Sequence, residues 1–493
     1  MKKLNMALGA SCDNRVFSMS PCDPGGAVAT GQSDLDGWTH QARDQGHDLE
    51  KPSWWNVLSK SFGGAVGVSG IKFVFSGKEA KIRRIIWGLV LVTAVAIMLY
   101  QIIYQGIIYS KSPINTRVDV EFAEYRVFPS VVICNYNLYR KSYLEKNEKE
   151  FADFLKYVAD LSARHQSFDY STYRGNLTTR NFTNLSLSAA HQLDSILLAT
   201  FDNEAISSAN FSLSLLEFGV CFTFNYNTID RLRAQAPGIS HGLQVMLDVR
   251  EWDYFYSPGL GIPGSSGFQI QVFDSNTTTP RVNEYGIAVG PGTRTLIGLS
   301  LYESHNLPPT LGGKCGEKTL KYYDVYRVSS CRLECQTDFV IASCGCRAHF
   351  MPGTDRECNP PEMICVRDAA KTFNKDTALR CECPIPCRQV RYAATVSQTK
   401  YPSDFYSKYL ADQISAARNL NLTEENFRDS LCLINIFFTE LIRHKTTQQE
   451  AYSFVSLLSD IGGSLGMWIG GSILTLVEVF DIMGYSIFKT RGR

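Results

Sequence analysis

The chain has 493 residues, of which 44% are hydrophobic and 20% charged, and its formal net charge is +1. This balance excludes the strongly basic surface that binds nucleic acid, and it excludes an acidic tail. Apolar residues concentrate in two blocks, Ile85–Ile108 and Leu457–Phe488, and neither block contains Lys or Arg. Each block exceeds the roughly 20 apolar residues that a helix needs to cross a bilayer. The sequence therefore predicts two transmembrane helices.

The chain before the first block has two parts. Residues 1–60 are rich in Gly, Ser, Asp and Gln without a sustained apolar period, which predicts a disordered cytosolic arm. Residues 61–84 mix glycine with apolar side chains, which fits either a linker at the membrane surface or a segment that re-enters the pore from the cytosolic side. The first span, residues 85–108, begins too late and is too long for a cleaved signal peptide, so we expect a signal-anchor.

Basic residues flank the outer ends of the two blocks. Four precede the first block and three follow the second: Lys78, Lys81, Arg83, Arg84, Lys489, Arg491 and Arg493. Because Lys and Arg concentrate on the cytosolic side of membrane spans, both termini are predicted to be cytosolic. We expect a multi-pass plasma-membrane protein in the lipid bilayer, with an extracellular domain over residues 109–450, a second span within 451–488 and a short tail at 489–493.

Cysteines and glycosylation sequons test this topology independently. Of the 15 cysteines, only Cys12 and Cys22 lie before the first block, and the others lie between the blocks. The Asn-x-Ser/Thr sequons fall in the same segment, at Asn176, Asn181, Asn184, Asn210, Asn276 and Asn421. Their joint confinement indicates an oxidising, glycosylating compartment and predicts disulfides and N-linked glycans there.

The extracellular segment mixes strand and helix patterns. β-Branched and aromatic runs predict strands at Phe128–Cys134, Gly242–Val249, Gly267–Phe273 and Cys432–Phe438. Helical spacing of apolar residues predicts helices at Tyr143–Arg164 and Leu187–Leu198. The predicted fold class is α+β, and a segment of this length allows more than one lobe.

The densest motif is a run of ten cysteines within 73 residues, from Cys315 to Cys387. Cys344-Gly-Cys346 and Cys381-Glu-Cys383 could hold zinc, as close cysteine pairs often do in the cytosol. The compartment is oxidising, the spacing is C-x-C, and no paired histidine accompanies these cysteines. We therefore predict disulfides and no metal site, each disulfide contributing about 2–4 kcal/mol to a segment with little core.

The second apolar block carries glycines and carboxylates. Gly462, Gly466 and Gly470 recur every four residues, a spacing that is typical of close packing between membrane helices. Carboxylates at Asp460, Glu478 and Asp481 favour an ion path instead, because charge inside a membrane is costly. Glycine carbonyls can replace hydration water, and carboxylates concentrate cations. One such helix cannot enclose a pore, so an oligomer is required.

These motifs, taken together and in order, resemble the degenerin/epithelial sodium channel superfamily, which includes the acid-sensing channels. The resemblance runs from Ser69 to the end of the second span. It is carried by FPSVVICN at 128–135, GVCFTFN at 219–225, YRVSSCRLEC at 326–335, CGCR with HFMPG at 344–353, CECPIPC at 381–387 and the segment 460–481.

The resemblance implies a trimer with two transmembrane helices per subunit and a disulfide-rich extracellular domain of finger, thumb, palm, knuckle and β-ball. It assigns the selectivity filter to Gly470, Gly471 and Ser472, where the helix is interrupted. The pre-span His-Gly pair of the family corresponds to Ser69 and Gly70, so the histidine is replaced. The remaining assignments are the amiloride site at Gly463 and Ser464, where Ser464 replaces the usual Gln, and a gating position at Ser459.

The resemblance also implies the disulfide pairing. The expected pairs are Cys134–Cys221, Cys315–Cys387, Cys331–Cys383, Cys335–Cys381, Cys344–Cys365 and Cys346–Cys358. This pairing leaves Cys432 free in an apolar strand, where a thiol behaves as a small hydrophobe.

The acid-sensing apparatus of the family is largely missing. Trp252-Asp253 stands where acid-sensing relatives have a carboxylate pair, and Arg367 and Lys371 stand where the facing thumb carboxylates would be. The paired histidines of those relatives align with Pro113 and Ile114. We expect the thumb cations to face Asp253 or Glu251, an arrangement that acid would weaken rather than strengthen. Residues 140–215, the finger, match poorly and contain the aromatic residues Tyr157, Phe168, Tyr170 and Tyr173.

The resulting hypothesis is an amiloride-sensitive sodium channel built from three copies of this chain or from related subunits. Na⁺ permeates and no cofactor is needed. An extracellular peptide of the FMRFamide type is the expected ligand, by resemblance to the neuropeptide-gated branch, and amiloride is the expected blocker. The alternatives are a constitutive or mechanically gated channel and, in another class, a receptor without a pore. An enzyme is disfavoured, because no nucleophile elbow or metal motif occurs and histidines such as His241 are scattered.

Overall fold

The computed structural model describes residues 70–75, 80–164, 166, 168–226, 231–256, 264–274, 280–375, 381–418, 429–472, 475, 477, 480 and 481. Its α-helices are α1 Ile71–Phe75, α2 Lys81–Ser110, α3 Lys141–Asn147, α4 Lys149–Ala163, α5 Phe182–Ala189, α6 Val282–Tyr285, α7 Val328–Cys344, α8 Met363–Lys375, α9 Asp404–Arg418 and α10 Phe454–Ile469. Its strands are β1 Ile114–Phe122, β2 Arg126–Val127, β3 Ser130–Asn135, β4 Ile196–Phe201, β5 Glu204–Ala205, β6 Phe211–Leu216, β7 Gly219–Phe224, β8 Arg233–Ala234, β9 Leu243–Asp248, β10 Phe268–Phe273, β11 Ile287–Val289, β12 Thr293–His305, β13 Arg388–Lys400 and β14 Leu431–Glu450. The α+β class predicted from the sequence agrees with these elements.

Two sheets form the framework. The larger has the order β13-β12-β14-β9-β4-β5. β1 also belongs to this sheet and pairs with the second half of β14, beyond the part that pairs with β9. The smaller has the order β11-β10-β3-β7-β6, and β2 pairs with β8 separately. All pairings are antiparallel except that of β12 with β14.

Strand β14 is the longest element of the large sheet. Its first part, Leu431–Ile436, pairs with β9 and is almost completely buried. Its last part, Ile442–Glu450, pairs with β1 instead. The strand predicted at Cys432–Phe438 is therefore only the buried portion, because the polar second half carries no apolar run that would signal a strand.

Phe128 connects the cores of the two sheets. Its fully buried ring lies 5.1 Å from the ring of Phe201, 6.0 Å from that of Phe438 and 6.4 Å from that of Phe224, each in an edge-to-face arrangement. Aromatic rings prefer this geometry, and each buries a large apolar area. Because Phe201 and Phe438 belong to the larger sheet and Phe224 to the smaller one, the Phe128 side chain contacts both sheets and helps to hold them together.

Two helix predictions need correction. The helix expected at Tyr143–Arg164 is two helices, α3 and α4, separated at Glu148, where φ is −136°. The helix expected at Leu187–Leu198 is wrong for most of its length, because α5 ends at Ala189 and β4 begins at Ile196. Pairing of β4 with β9 outweighs the helical spacing of this short leucine-rich segment.

The six disulfides implied by the resemblance are all formed, with Cα–Cα distances from 4.4 to 6.3 Å. Cys331 and Cys335 on α7 join the segment just before β13, and Cys344 at the end of α7 joins Cys365 on α8. These bonds brace the lobe of residues 306–387. Cys432 is free and fully buried, and burial raises the pKa of its thiol, so it is chemically inert.

Phe128→Ala should destabilise the outer domain by about 3–5 kcal/mol, because it removes the ring that both sheets share. We expect a lower thermal midpoint of the detergent-solubilised protein and reduced surface expression. Phe405→Ala is the matched control, because the Phe405 side chain is 93% exposed. Equal effects of the two substitutions would contradict the packing described here.

Candidate functional site: the second apolar helix and the outer-domain groove

The first apolar block forms α2, a helix of 30 residues. Among the described residues, it is the one helix long and apolar enough to cross a membrane. At 1.5 Å per residue, its length is about 45 Å. It begins at Lys81 and ends at Ser110, slightly outside the predicted bounds of 85 and 108.

The second block begins as α10, which stops after 16 residues. Its N-terminus is capped by Ser453, whose side chain accepts a hydrogen bond from the Ser456 amide. Its C-terminus is at Gly470, which has φ 62° and ψ 20°, and the Gly471 amide donates to Leu465 O at 3.2 Å. A left-handed glycine with this backward bond is a common helix stop. The helix is thus interrupted at the position that the resemblance assigns to the filter.

Helical structure resumes beyond the interruption. Ser472 is exposed, its amide donates to Thr475 Oγ1 at 3.1 Å, and the Thr475 amide donates to Ser472 Oγ at 3.3 Å. Thr475 and Asp481 both have helical backbones, and the Asp481 side chain is exposed. Glu478 lies outside the described residues. The negative end of the α10 dipole points at the break, which favours a cation there.

The two apolar helices contact each other through polar and aromatic side chains. Trp468 Nε1 on α10 donates to Gln101 Oε1 on α2 at 2.8 Å. At the other end of the pair, the Tyr109 ring lies 6.5 Å from the Tyr452 ring and 6.3 Å from the Phe454 ring. These contacts were not predicted from the sequence, although a glutamine inside an apolar helix is a signal of such a contact.

The other predicted residues of α10 point in different directions. Asp460 is exposed and accepts a hydrogen bond from the Tyr452 hydroxyl. Ser459 is exposed and donates to Val455 O at 2.9 Å. Gly463 is exposed, whereas Ser464 is only 6% exposed. The amiloride assignment therefore combines one residue on the open surface of α10 with one that packs inward.

The pre-span segment folds against α2. Gly70 has φ +88°, and a Cβ there would lie 3.1 Å from the Trp87 ring. The ring of Phe73 on α1 stacks on Trp87 at 5.1 Å. Ser69 lies outside the described residues. Glycine at position 70 is required by both its conformation and this close approach.

In the outer domain, an open groove of about 540 Å³ lies along α4. It is lined by Lys149, Glu150, Asp153, Phe154, Tyr157 and Tyr173. The Tyr173 hydroxyl donates to Glu150 Oε1 at 3.1 Å, and burial raises the pKa of Tyr173 to about 12. Phe168 packs behind the groove, 5.6 Å from the Phe154 ring, and Tyr170 is not part of the lining.

The expected contact between thumb cations and Asp253 is wrong. Asp253 is 4% exposed and accepts hydrogen bonds from the Ser142 amide at 2.7 Å and from Ser142 Oγ at 3.0 Å. Arg367 and Lys371 pair instead with Asp368, at 3.3 and 3.8 Å. Asp253 is turned inward because its carboxylate satisfies the amide at the start of α3.

The helix α5 contacts the disulfide-braced lobe directly. Thr183 Oγ1 donates to Glu357 Oε2 at 2.8 Å, and Arg347 Nη2 donates to Glu357 Oε1 at 3.2 Å. The Phe182 ring lies 5.0 Å from the His349 ring. Burial lowers the pKa of His349 to about 4, so the histidine is neutral in this contact at physiological pH.

Glycosylation and metal predictions concern the same outer domain. Asn176, Asn181, Asn184 and Asn210 are exposed, as glycan attachment requires, and Asn276 and Asn421 lie outside the described residues. Cys346, Cys358 and Glu362 lie close enough to suggest a metal site. Both of these cysteines are consumed by one disulfide, so the group offers no thiolate to a metal.

A sequence profile described as "Amiloride-sensitive sodium channel" matches residues 62–482. The chain belongs to this family. The resemblance to the degenerin/epithelial sodium channel superfamily is thereby confirmed, as is the expectation of an ion channel rather than an enzyme.

Two curated relatives illustrate the relationship. Acid-sensing ion channel 4-B of Danio rerio is 29% identical over 83% of this chain and 72% of its own length. Acid-sensing ion channel 1 of Gallus gallus is 29% identical over 88% of this chain and 85% of its own length. A solved structure of a proton-activated chloride channel covers 80% of this chain at 8% identity with a TM-score of 0.31. This structural similarity is too weak to support a conclusion.

Gln101→Leu should weaken the contact between α2 and α10, because it leaves Trp468 Nε1 without its acceptor inside an apolar helix pair. We expect a loss of about 1 kcal/mol in the free energy of unfolding. Trp468→Phe should have a similar effect, and the double variant should be little worse than either single variant. Strictly additive losses in thermal melts would show that the two side chains do not interact.

Proposed function

We propose that this chain forms a homotrimeric, sodium-selective and amiloride-sensitive channel gated by an extracellular ligand. The single observation that carries the pore assignment is the stop of α10 at Gly470, with the exposed Ser472 two residues beyond it. Three copies around one axis would converge their helix C-termini and bare glycine backbone on one constriction. Asp460 above it, and Glu478 and Asp481 below it, would concentrate cations.

Whole-cell voltage clamp in sodium, with and without amiloride, tests the class of protein. An amiloride-blocked current that reverses near the sodium potential supports a channel. Absence of any such current, with the protein at the cell surface and with agonists applied, would favour a receptor without a pore. Current without any agonist would favour a constitutive channel, and current only on membrane stretch would favour mechanical gating.

Gly471→Val should abolish conduction without preventing assembly. A Cβ at this position would lie 3.4 Å from the flexible end of the Ile469 side chain, a contact that Ile469 can accommodate by a small shift. Three valines on one axis would fill the constriction. Gly88→Val on α2 is the control and should leave conduction unchanged, because a Cβ added there has no atom within 4 Å.

Gly470→Ala separates folding from conduction in the same experiment. Gly470 has φ +62°, and forcing alanine into the left-handed region costs about 1–2 kcal/mol. We therefore expect Gly470→Ala to lower surface expression, whereas Gly471→Val should leave expression intact. Normal sodium currents from Gly471→Val would place the constriction elsewhere.

The best candidate ligand is an amidated neuropeptide of the FMRFamide type. The groove along α4 presents two carboxylates, Glu150 and Asp153, beside the rings of Phe154, Tyr157 and Tyr173. This combination suits a peptide with one cationic and several aromatic side chains, through ion pairing and cation–π contact.

Proton gating is the competing proposal, because the relatives are named acid-sensing channels. Burial lowers the pKa values of His191 and His349 to about 4, below the ordinary 6.5. Histidines with lowered pKa values stabilise the fold above about pH 6.5, and this stability is lost as the pH falls towards 4. Acid would thus loosen the contact of His349 with Phe182 instead of closing it, which favours the peptide.

Asp153→Asn should raise the half-maximal concentration of FMRFamide about tenfold, for a loss of roughly 1.4 kcal/mol from one charge-assisted contact. Asp160→Asn is the matched control, because Asp160 lies on the same helix and pairs with Arg164 at 2.7 Å outside the groove. Steps from about pH 7.4 to about pH 5, the range where histidine titrates, should evoke no sodium current by themselves. A large current from acid alone would overturn peptide gating.

A further inference from the structure

The lower half of the large sheet contains a buried carboxylate outside both the pore segment and the groove. The side chain of Glu303 on β12 is only 3% exposed. Its Oε1 accepts from His305 Nε2 and from Arg388 Nε, each at 2.8 Å, and its Oε2 accepts from Arg443 Nη1 at 2.7 Å. Such a carboxylate is tolerated only because it is paired and hydrogen-bonded.

Arg443 extends this pairing to a further strand. Its Nε donates to Glu121 Oε2 at 3.0 Å, and its Nη2 donates to the same oxygen. Arg388 lies on β13, Glu303 on β12, Arg443 on β14 and Glu121 on β1. We call these residues the four-strand ion cluster, because they tie four neighbouring strands together.

The cluster lies where the register of β14 restarts. The pairing of β12 with β14 is interrupted after Leu299–Phe438 and resumes at Leu301–Arg443. A bulge of this kind bends the strand and leaves residues unpaired. Arg443 is the first residue of β14 beyond the bulge that pairs with β12 again, so its ion pairs fix the register where the backbone ladder is broken.

The same place connects the disulfide-braced lobe to the strands that lead to the helices. His305 and Arg388 form the last pair of β12 with β13, and the lobe of residues 306–387 is the loop between them. Below the cluster, β1 and β14 run in register from Glu121–Arg443 to Ile114–Glu450. These eight residue pairs are seven steps long, which is about 23 Å at 3.3 Å per residue.

The two carboxylates of the cluster keep their charge across the physiological range. Burial opposes ionisation of Glu303, but hydrogen bonds from His305 and Arg388 and the charge of Arg443 outweigh it and lower its pKa. The hydrogen bond from Arg443 lowers the pKa of Glu121. Carboxyls with lowered pKa values lose their charge only below their ordinary range, about pH 4.3. Two further cations lie beside Glu121: Arg126 Nη2 donates to the Glu121 backbone carbonyl at 2.7 Å, and Lys445 Nζ lies 3.8 Å from Glu121 Oε1.

We propose that the four-strand ion cluster transmits movement of the disulfide-braced lobe to α2 and α10, with Glu303 and Arg443 as its essential positioning residues. This inference rests on the proposed channel function. A shift of the lobe moves His305 and Arg388 first. Through Glu303 and Arg443 the shift reaches β14 and β1 together, and these strands continue into the two helices.

The test is a long-range labelling experiment on the full-length chain. Ser459 is exposed on α10, so Ser459→Cys offers a thiol to a methanethiosulfonate ammonium reagent, and intact mass spectrometry measures the rate. Protein without this substitution gives the background of the other thiols. We expect Glu303→Gln to raise the labelling rate about fivefold or more, because α10 loses the restraint imposed through β14.

Three further variants distinguish transmission from local damage. Glu303→Asp keeps the carboxylate and should restore most of the slow labelling. Adding Arg443→Gln to Glu303→Gln should change the labelling rate little further, because both substitutions break the same ion pair. Arg117→Gln removes an exposed ion pair with Asp119 at 2.8 Å on the same strand β1, and it should leave the rate unchanged.

An unchanged labelling rate in folded Glu303→Gln protein would overturn the proposal. If that variant does not fold, Arg443→Lys decides the question, because lysine keeps the charge but cannot hold both carboxylates in the same geometry. Arg443→Lys should also raise the labelling rate, and an unchanged rate in this variant would overturn the proposal. The labelling needs no ion current, so absence of sodium current counts against the channel and not against the cluster.

Discussion

The antiparallel pairing of β1 with the second half of β14 determines where both apolar helices lie. Only three residues separate α2 from β1, and only three separate β14 from α10. Connections this short leave little freedom, so the ladder sets the helices side by side. The contacts of Tyr109 with Tyr452 and of Gln101 with Trp468 follow from this placement. The large sheet is therefore joined to the helix pair by two short connections that lie side by side.

Much of the fold could be predicted from local patterns. The strands β3, β9 and β10 lie within two residues of their predicted bounds, because their alternating or continuous apolar runs are bounded by Gly, Pro or Asn. The second half of β14 could not be predicted, since its charged residues are stabilised by partners on β1 and β12. Arg443, for example, pairs with Glu303 across 140 residues of sequence. The break between α3 and α4 likewise has no breaker residue, since Glu148 is an ordinary helix former.

The candidate site likewise contains one feature that could be predicted from the sequence and one that could not. The helix stop at Gly470 was implied by the family resemblance, and the described backbone interrupts the helix there. The inward orientation of Asp253 was not visible, because it depends on where Ser142 begins α3 in the folded domain. The expectation that Arg367 and Lys371 face Asp253 therefore failed because of how Asp253 packs, although the residue types were identified correctly. Residue identity alone cannot tell a surface carboxylate from a helix cap.

Thr183 carries two requirements that act at different times. It is the third residue of the Asn181 sequon, which is read while the chain is still extended in the secretory pathway. After folding, the same hydroxyl donates to Glu357 and joins α5 to the disulfide-braced lobe. Only serine could replace threonine without losing one of the two. With a glycan on Asn181, position 183 would therefore be restricted twice, once by the sequon and once by the contact with Glu357.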